Sequence, residues 1–336
     1  FFGSNLILVS VTSIDRQTAI TDRPSHSIPI NSQTMLGVGT RSTLQAAMPL
    51  LAANQTRGMA TLKDIRVRLK SVTNIRKITQ SMKMVSAAKY ARAERDLKNA
   101  RSFGSGAQAF YRNAELETPE EKEAEVPKPG TLILAITSDR GLCGAVHSSV
   151  AKKVRAIMAS EPDAANIKVI CVGDKAKAML AKQFPANILM MFNDFGKKPP
   201  QFGDALTVAT NVLESGYEFD RGIILYNRFK SVVSYTTTAI PVFSSAAITA
   251  SPKISIYDSL DEEVLKSYYE YSLASLIFYA MKENACSEQS SRMTAMDSAS
   301  KNAGEMIQKL TLTFNRTRQA VITKELIEII SGAAAL

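Results

Sequence analysis

The sequence predicts a mixed chain, α+β overall with an α/β centre: two long terminal helices that pair as a coiled coil, and a layered domain inserted between them. Three observations carry this. Residues 61–103 contain neither Gly nor Pro. After Pro252 no proline occurs, and Gly304 is the only glycine between Leu260 and Ser331. Between these stretches, from Thr131 onward, short apolar runs alternate with helix-like segments.

Residues 1–59 precede the first helix and hold four arginines, no lysine, two acids and fourteen Ser or Thr. That is the composition of a mitochondrial transit peptide. Leu44, Ala47, Met48 and Leu51 repeat at i, i+3, i+4 and i+7, the amphipathic pattern such peptides use. A secretory signal is the rival reading, because Leu6 to Val11 is nearly all apolar, but no basic residue precedes it. The change to a lysine-rich pattern after Met59 places the cleavage there.

The first helix opens at Thr61-Leu62-Lys63-Asp64, which has the form of a capping box. About 42 residues follow without a breaker, roughly 60 Å of rod, and the whole segment is assigned to 60–114. Leu62, Ile65, Leu69 and Val72 keep a 3,4,3 spacing. Ile75, Ile78, Met82 and Val85 resume it after one extra step of three, a stammer that overwinds a coiled coil locally.

Residues 115–130 are acidic and carry Pro119, Pro127 and Pro129, which reads as a linker. The layered domain is assigned to 131–258. Thr131–Thr137 and Ile167–Val172 are apolar runs, and Ala145–Met158 and Lys175–Gln183 are helix-like. Ile188–Phe192, Ala205–Leu213, Arg221–Asn227 and Val232–Phe243 continue the pattern, the last two as an antiparallel pair. A parallel sheet of Rossmann-like type results.

The turn Thr137-Ser138-Asp139-Arg140-Gly141-Leu142-Cys143-Gly144-Ala145 joins a strand to a helix, where phosphate loops occur. It contains neither GxxxxGK[ST] nor GxGxxG, and a tight turn explains its glycines. Gly173-Asp174 and Gly203-Asp204 read as turns or helix starts. His147 has no nucleophile or base implied beside it, and Cys143 reads as a small buried side chain.

The second long helix is assigned to 259–336. Ser259-Leu260-Asp261-Glu262 again has capping-box form, with acids suited to the helix dipole. Met296, Ala299, Ala303, Met306, Leu310, Thr313, Thr317 and Ala320 alternate steps of three and four. The polar stretch Glu283–Arg292 has the weakest periodicity, so a bend or break is allowed there. A helix of roughly 70 residues cannot bury its stripe alone and must pair. Spacing leaves parallel and antiparallel open. If residues 104–258 join the two helices at one end, connectivity makes them antiparallel and the longer one protrudes.

Composition narrows the chemistry. Cys143, Cys171 and Cys286 form no CxxC pair, and His26 and His147 are the only histidines, so thiolate and HExxH metal sites are excluded. No cofactor is expected. No apolar run reaches the ~18 residues of a membrane span. The net charge of +10 points to acidic partners. Residues 63–101 carry twelve Lys or Arg against three acids, yet the helix offers only Tyr90 and Phe103 to stack on bases, so nucleic acid is not expected. An acidic protein surface suits the charge better.

These residues carry a family resemblance. The chain resembles γ subunits of mitochondrial F1Fo ATP synthases over about residues 60–336. The likeness is strongest at Ala60-Thr61-Leu62-Lys63-Asp64-Ile65, at Lys77-Ile78-Thr79 with Met82-Lys83-Met84-Val85, at Thr137–Gly144, and from Leu310 to Leu336. The resemblance implies an antiparallel coiled-coil shaft inside an α3β3 hexamer of F1. It implies an α/β foot near the c-ring of Fo, contacts with δ and ε subunits, and a peripheral place on the matrix side of the inner membrane. It implies a rotor subunit that is not itself an enzyme. Arg318 and Gln319 match positions that engage a loop of a catalytic β subunit, and Met82 matches a shaft position near the acidic lever of β. Lys83 and Lys89 are its neighbours by charge. Ala333, Ala334, Ala335 and Leu336 match the end held in the hexamer's upper bearing. The cysteine-bearing insertion of chloroplast relatives is absent, which argues against thiol control.

Overall fold

The computed structural model describes residues 61–114, 130–160, 166–217, 219, 221–249, 251, 253, 257 and 261–335. The expected transit peptide, nearly all of the acidic linker, Ser259 and Leu336 lie outside them.

Helix α1 spans Leu62–Asn113. Its capping box forms as expected: the Asp64 amide donates to Thr61 Oγ1 at 3.3 Å, and the Thr61 amide donates to Asp64 Oδ2 at 3.2 Å. The helix does not stop at Phe103 but continues through Gly104 and Gly106. Glycine is tolerated at 104 for a packing reason, since a Cβ there would lie 2.5 Å from the Tyr279 ring. Close approach of the second helix selects Gly at this position.

Helix α6 spans Glu262–Ala334, 73 residues or roughly 110 Å. It is unbroken across 283–292. Its N-cap is Asp261, whose side chain makes no capping hydrogen bond, so the start is two residues later than the sequence pattern placed it.

The two helices run antiparallel. Arg66 stacks on Phe314, Lys83 pairs with Asp297, Lys282 with Asp96, and Tyr111 meets Ser272, so rising numbers on α1 meet falling numbers on α6. On α1 one row of positions, Ile65, Val72, Thr79, Ser86, Ala93, Ala100 and Ala107, repeats every seven residues and is buried but for half-buried Ala93, and a second row, Tyr90, Leu97, Gly104 and Tyr111, is buried beside it with the same period. The expected stammer is therefore absent. Thr79 and Ser86 hold the seam, whereas Ile75, Ile78 and Val85 are 48 %, 58 % and 53 % exposed. Small seam residues let the helices approach closely, and hydrophobicity alone misassigned the face. On α6 the seam runs through Met296, Ala299, Ala303, Ile307, Leu310, Phe314 and Thr317. Ile307 and Phe314 take the places expected of Met306 and Thr313, and Ala320 is exposed.

Five strands form the inserted layer: β1 (Thr131–Ile136), β2 (Ile167–Val172), β3 (Ile188–Phe192), β4 (Arg221–Ser231) and β5 (Ser234–Phe243). Their order is β3-β2-β1-β4-β5; β5 pairs antiparallel to β4 and the rest are parallel. Helix α2 (Val146–Ser160) crosses from β1 to β2, α3 (Asp174–Leu180) from β2 to β3, and α4 (Phe202–Glu214) from β3 to β4; a short α5 (Ser245–Thr249) follows β5. The near-continuous apolar run of β1 suits a central strand covered on both faces. Ile133, Ala135 and Cys171 pack on α2 and α3, while Leu132, Leu134, Ile136, Ile170 and Tyr226 pack on α4, the end of α1 and residues 269–281 of α6.

Candidate partner-binding surface

The polar stretch of α6 that reads as weakly periodic is the joint between rod and layer. Glu283, fully buried, accepts from Arg101 Nε at 3.1 Å and from the Phe229 amide at 2.7 Å. Asn284 accepts at 3.0 Å from Asn227, which also donates to the Val146 carbonyl and accepts from Ser149 and Thr237. Ser287 donates to the Asn227 carbonyl at 2.9 Å, Ser291 to the Cys143 carbonyl at 2.7 Å, and Arg292 to the Gly141 carbonyl while pairing with Glu288. This helix is covered on several sides by hydrogen-bonding neighbours, so its sequence shows no apolar stripe.

The turn singled out for its glycines serves this joint. Asp139 accepts from the amides of Asp174 (2.8 Å) and Asp194 (2.7 Å). Gly173 has φ +94°, and a Cβ on it would lie 2.7 Å from Ser138. His147 Nε2 lies 2.9 Å from the Arg140 carbonyl, and burial pushes its pKa below the usual imidazole value. Burial likewise raises the Cys143 thiol to about 11.

Past the joint the rod is bare. Ile75, Ile78 and Val85 form an uncovered apolar stripe on α1, and half-buried Met82 lies in line with them. Lys83, on the seam side, pairs with Asp297 at 2.6 Å; Lys301 reaches the same carboxylate at 2.9 Å, and hydrogen bonds from the two lysines hold its pKa below the usual range. Lys89 is exposed with no carboxylate partner among the described residues.

Helix α6 then outruns the start of α1. Arg318 and Gln319 are exposed where α1 begins, and residues 318–334 extend roughly 25 Å beyond it. Ile322, Leu326, Ile329 and Ile330 are each about half or more exposed along this length, and Ala333, Ala334 and Ala335 are exposed. Met82, Lys83, Arg318, Gln319 and the alanine tip are thus spread along one rod rather than gathered in a pocket. Sequence reasoning found the protruding end but missed Asn227, Asn284 and Glu283, whose only signal was polarity in a stretch too long to be a loop.

Fold and surface together define a class: a stiff helical shaft on an α/β foot, with long uncovered helix beyond the joint. Comparison with known proteins specifies it. The family model described as ATP synthase matches residues 61–336. The mitochondrial ATP synthase subunit gamma of Drosophila melanogaster is 64 % identical over 286 residues, covering 85 % of this chain and 94 % of that one. Its counterpart in Rattus norvegicus is 57 % identical over 278 residues, covering 82 % and 100 %. Among solved structures, the central stalk and c-ring of Tetrahymena thermophila mitochondrial ATP synthase includes a chain matched at TM-score 0.57 and 28 % identity, covering 66 % of this chain and 99 % of that one. A chain of the Euglena gracilis mitochondrial ATP synthase shares the fold at TM-score 0.65 and 20 % identity, covering 82 % and 94 %. The chain belongs to the ATP synthase gamma subunit family. No helix among the described residues is long and apolar enough to cross a membrane.

Proposed function

We propose that this chain is the rotor shaft of a mitochondrial ATP synthase, coupling rotation of a c-ring to conformational change in catalytic β subunits while making no chemical bond itself. The observation that carries the reading is the asymmetric rod: one helix of a stiff antiparallel pair runs roughly 25 Å past its mate, with apolar and basic side chains open to partners. A single lopsided rod inside a ring of three like units offers each a different face. Its rotation therefore biases their open and closed states in turn, and differential contact is the only means by which it shifts those equilibria.

In this reading residues 1–59 are the transit peptide, and 60–114 and 259–336 form the coiled coil, joined through the 115–130 linker to a Rossmann-like foot at 131–258. The foot meets the c-ring and the δ and ε subunits, and the complex lies on the matrix side of the inner membrane. Arg318 and Gln319 engage a β-subunit loop. Met82, with Lys83 and Lys89 beside it, faces the acidic lever of β, and the tip from Ala333 to Leu336 turns in the hexamer's bearing.

Reconstitution tests this. Mixed with α and β subunits, the chain is expected to co-purify as one copy per three of each, and a bead attached to the foot should rotate in one direction on ATP addition. The purified chain alone should hydrolyse no ATP. Turnover by the lone chain, or failure to enter the hexamer, would overturn the reading.

A further inference from the structure

A cleft of about 670 Å³ opens between the helix pair and the carboxyl ends of the parallel strands, sharing Asn284 and Glu288 with the joint. Residues 89–96 of α1 and 281–289 of α6 form two walls. The end of β1 and the loop that follows β3, through Gln201, form the others. The volume lies in the range of small-molecule pockets, and the carboxyl edge of a parallel sheet is where such folds hold ligands.

The charges lining it do not cancel. Three of its four carboxylates are paired with cations, Asp96 with Lys282, Asp194 with Lys197 and Glu288 with Arg292, and the fourth, Asp204, accepts from the Gln201 amide and keeps its charge. Three lining cations, Lys89, Arg92 and Lys198, are exposed and have no carboxylate partner among the described residues. The floor is apolar, built from Ile136, Phe195 and Met281, which are buried. Asn193 lines the same cleft, and its Oδ1 is buried with no hydrogen-bond partner. A ligand that satisfies all three features brings anionic oxygens for the cations, a flat body for the floor and a hydroxyl or amine donor for Asn193.

We propose that this cleft binds a nucleotide-like organic phosphate on the foot of the shaft. Because the neighbouring turn lacks a phosphate-loop motif, side chains and not backbone amides grip the phosphate. An acidic protein segment would also meet the cations. The apolar floor and the single buried acceptor favour the small molecule. The proposal goes beyond the rotor role; the two readings share only Lys89, and the variants below leave that residue untouched, so they fail separately.

Equilibrium dialysis of the full chain against radiolabelled ADP at near-physiological salt tests it, with no α or β subunit present to contribute nucleotide sites. One saturable site per chain is expected. R92E with K198E should weaken it at least tenfold, whereas K63E with R68E, equally basic but remote on α1, should leave it within twofold. Asn193→Ala should weaken ADP severalfold yet leave inorganic pyrophosphate unchanged, because pyrophosphate brings no ribose hydroxyl or amine. Circular dichroism melts check that each variant folds. Absence of saturation, equal loss in the remote variant, or no effect of Asn193→Ala would overturn the proposal. So would displacement of ADP by a glutamate-rich peptide at lower concentration than by ADP itself, which would assign the cleft to an acidic protein segment.

Discussion

Gly104→Ala and Gly106→Ala, two residues apart on α1, are expected to move stability in opposite directions. Alanine inside a helix is normally favoured over glycine by roughly 0.5–1 kcal/mol, through the smaller entropy loss of the backbone. At Gly106 nothing lies within 4 Å of an added Cβ, so that gain should appear in full. At Gly104 the added Cβ would sit 2.5 Å from Cγ and Cδ1 of Tyr279, about 1 Å inside carbon contact distance. Tyr279 is 8 % exposed and packs edge-on against Tyr226 at 5.8 Å, so the ring has little room to retreat. Overpacking of this kind costs about 1–3 kcal/mol. A 2.5 Å contact puts the cost in the upper half of that range, about 2–3 kcal/mol, and set against the propensity gain the net is a loss of roughly 1–2.5 kcal/mol. Parallel guanidinium titrations of the full chain followed by circular dichroism measure both. Combining Gly104→Ala with Tyr279→Ala should show a favourable coupling, since the second change removes the clash. A midpoint for Gly104→Ala raised as far as that for Gly106→Ala would refute the close antiparallel crossing at this point.

Asn227→Ala removes four side-chain hydrogen bonds at a fully buried position; at about 1 kcal/mol each, allowing for partial rearrangement, a loss of roughly 3 kcal/mol is expected in the same titration. An unchanged midpoint would remove the joint's anchor from the argument. Burial pushes the Cys143 thiol up to about 11 and those of Cys171 and Cys286 up to about 12. Only about one Cys143 in a thousand is therefore thiolate at pH 8, and a disulfide reagent should label the folded chain slowly and the denatured chain at once. The sign for stability follows: burying neutral thiols contributes fully below the unfolded thiol pKa, and the contribution fades as pH climbs from ~8.5 toward 11–12. Leu310→Pro, in the seam of α6, should break the helix at about 3 kcal/mol or more; helicity equal to wild type by circular dichroism would contradict a continuous rod.

The pairing of the helices was legible because long stretches lack breakers and because Thr61 and Asp64 announce a helix start. The alternation of the central layer was legible for the same kind of reason, since runs such as Thr131–Thr137 have nowhere to go but the middle of a sheet. The phase of the α1 seam was not. Ile75, Ile78 and Val85 look like core residues, and Thr79 and Ser86 look like surface; closeness of approach reverses the two, and closeness is a property of the pair, invisible in one helix. That Gly104 sits against a partner ring was invisible too, since Tyr279 lies on the other helix. Residues 283–292 failed differently: their neighbours come from β4, the β1–α2 turn and α1 at once, so no single period describes them. The cleft draws Arg92, Asn193 and Lys198 from segments a hundred residues apart, and no local pattern could have joined them.

The distribution of polar contacts along α6 bears on how load would pass through the molecule. Apolar packing resists separation of two surfaces but resists sliding weakly, because it is non-directional. Directional hydrogen bonds and buried ion pairs fix register. In this chain they are concentrated where the foot grips α6, at Glu283, Asn284, Ser287, Ser291 and Arg292, while the bare rod beyond is held by a mainly apolar seam and the Lys83–Asp297 bridge. Twist applied at the foot would therefore enter α6 without slippage and leave it along the helix itself. The uncovered stripe of α1 and the overhang of α6 both lie on the far side of the joint, at different heights along the rod, so a turning shaft would meet surrounding subunits at two levels and change which subunit faces each apolar surface.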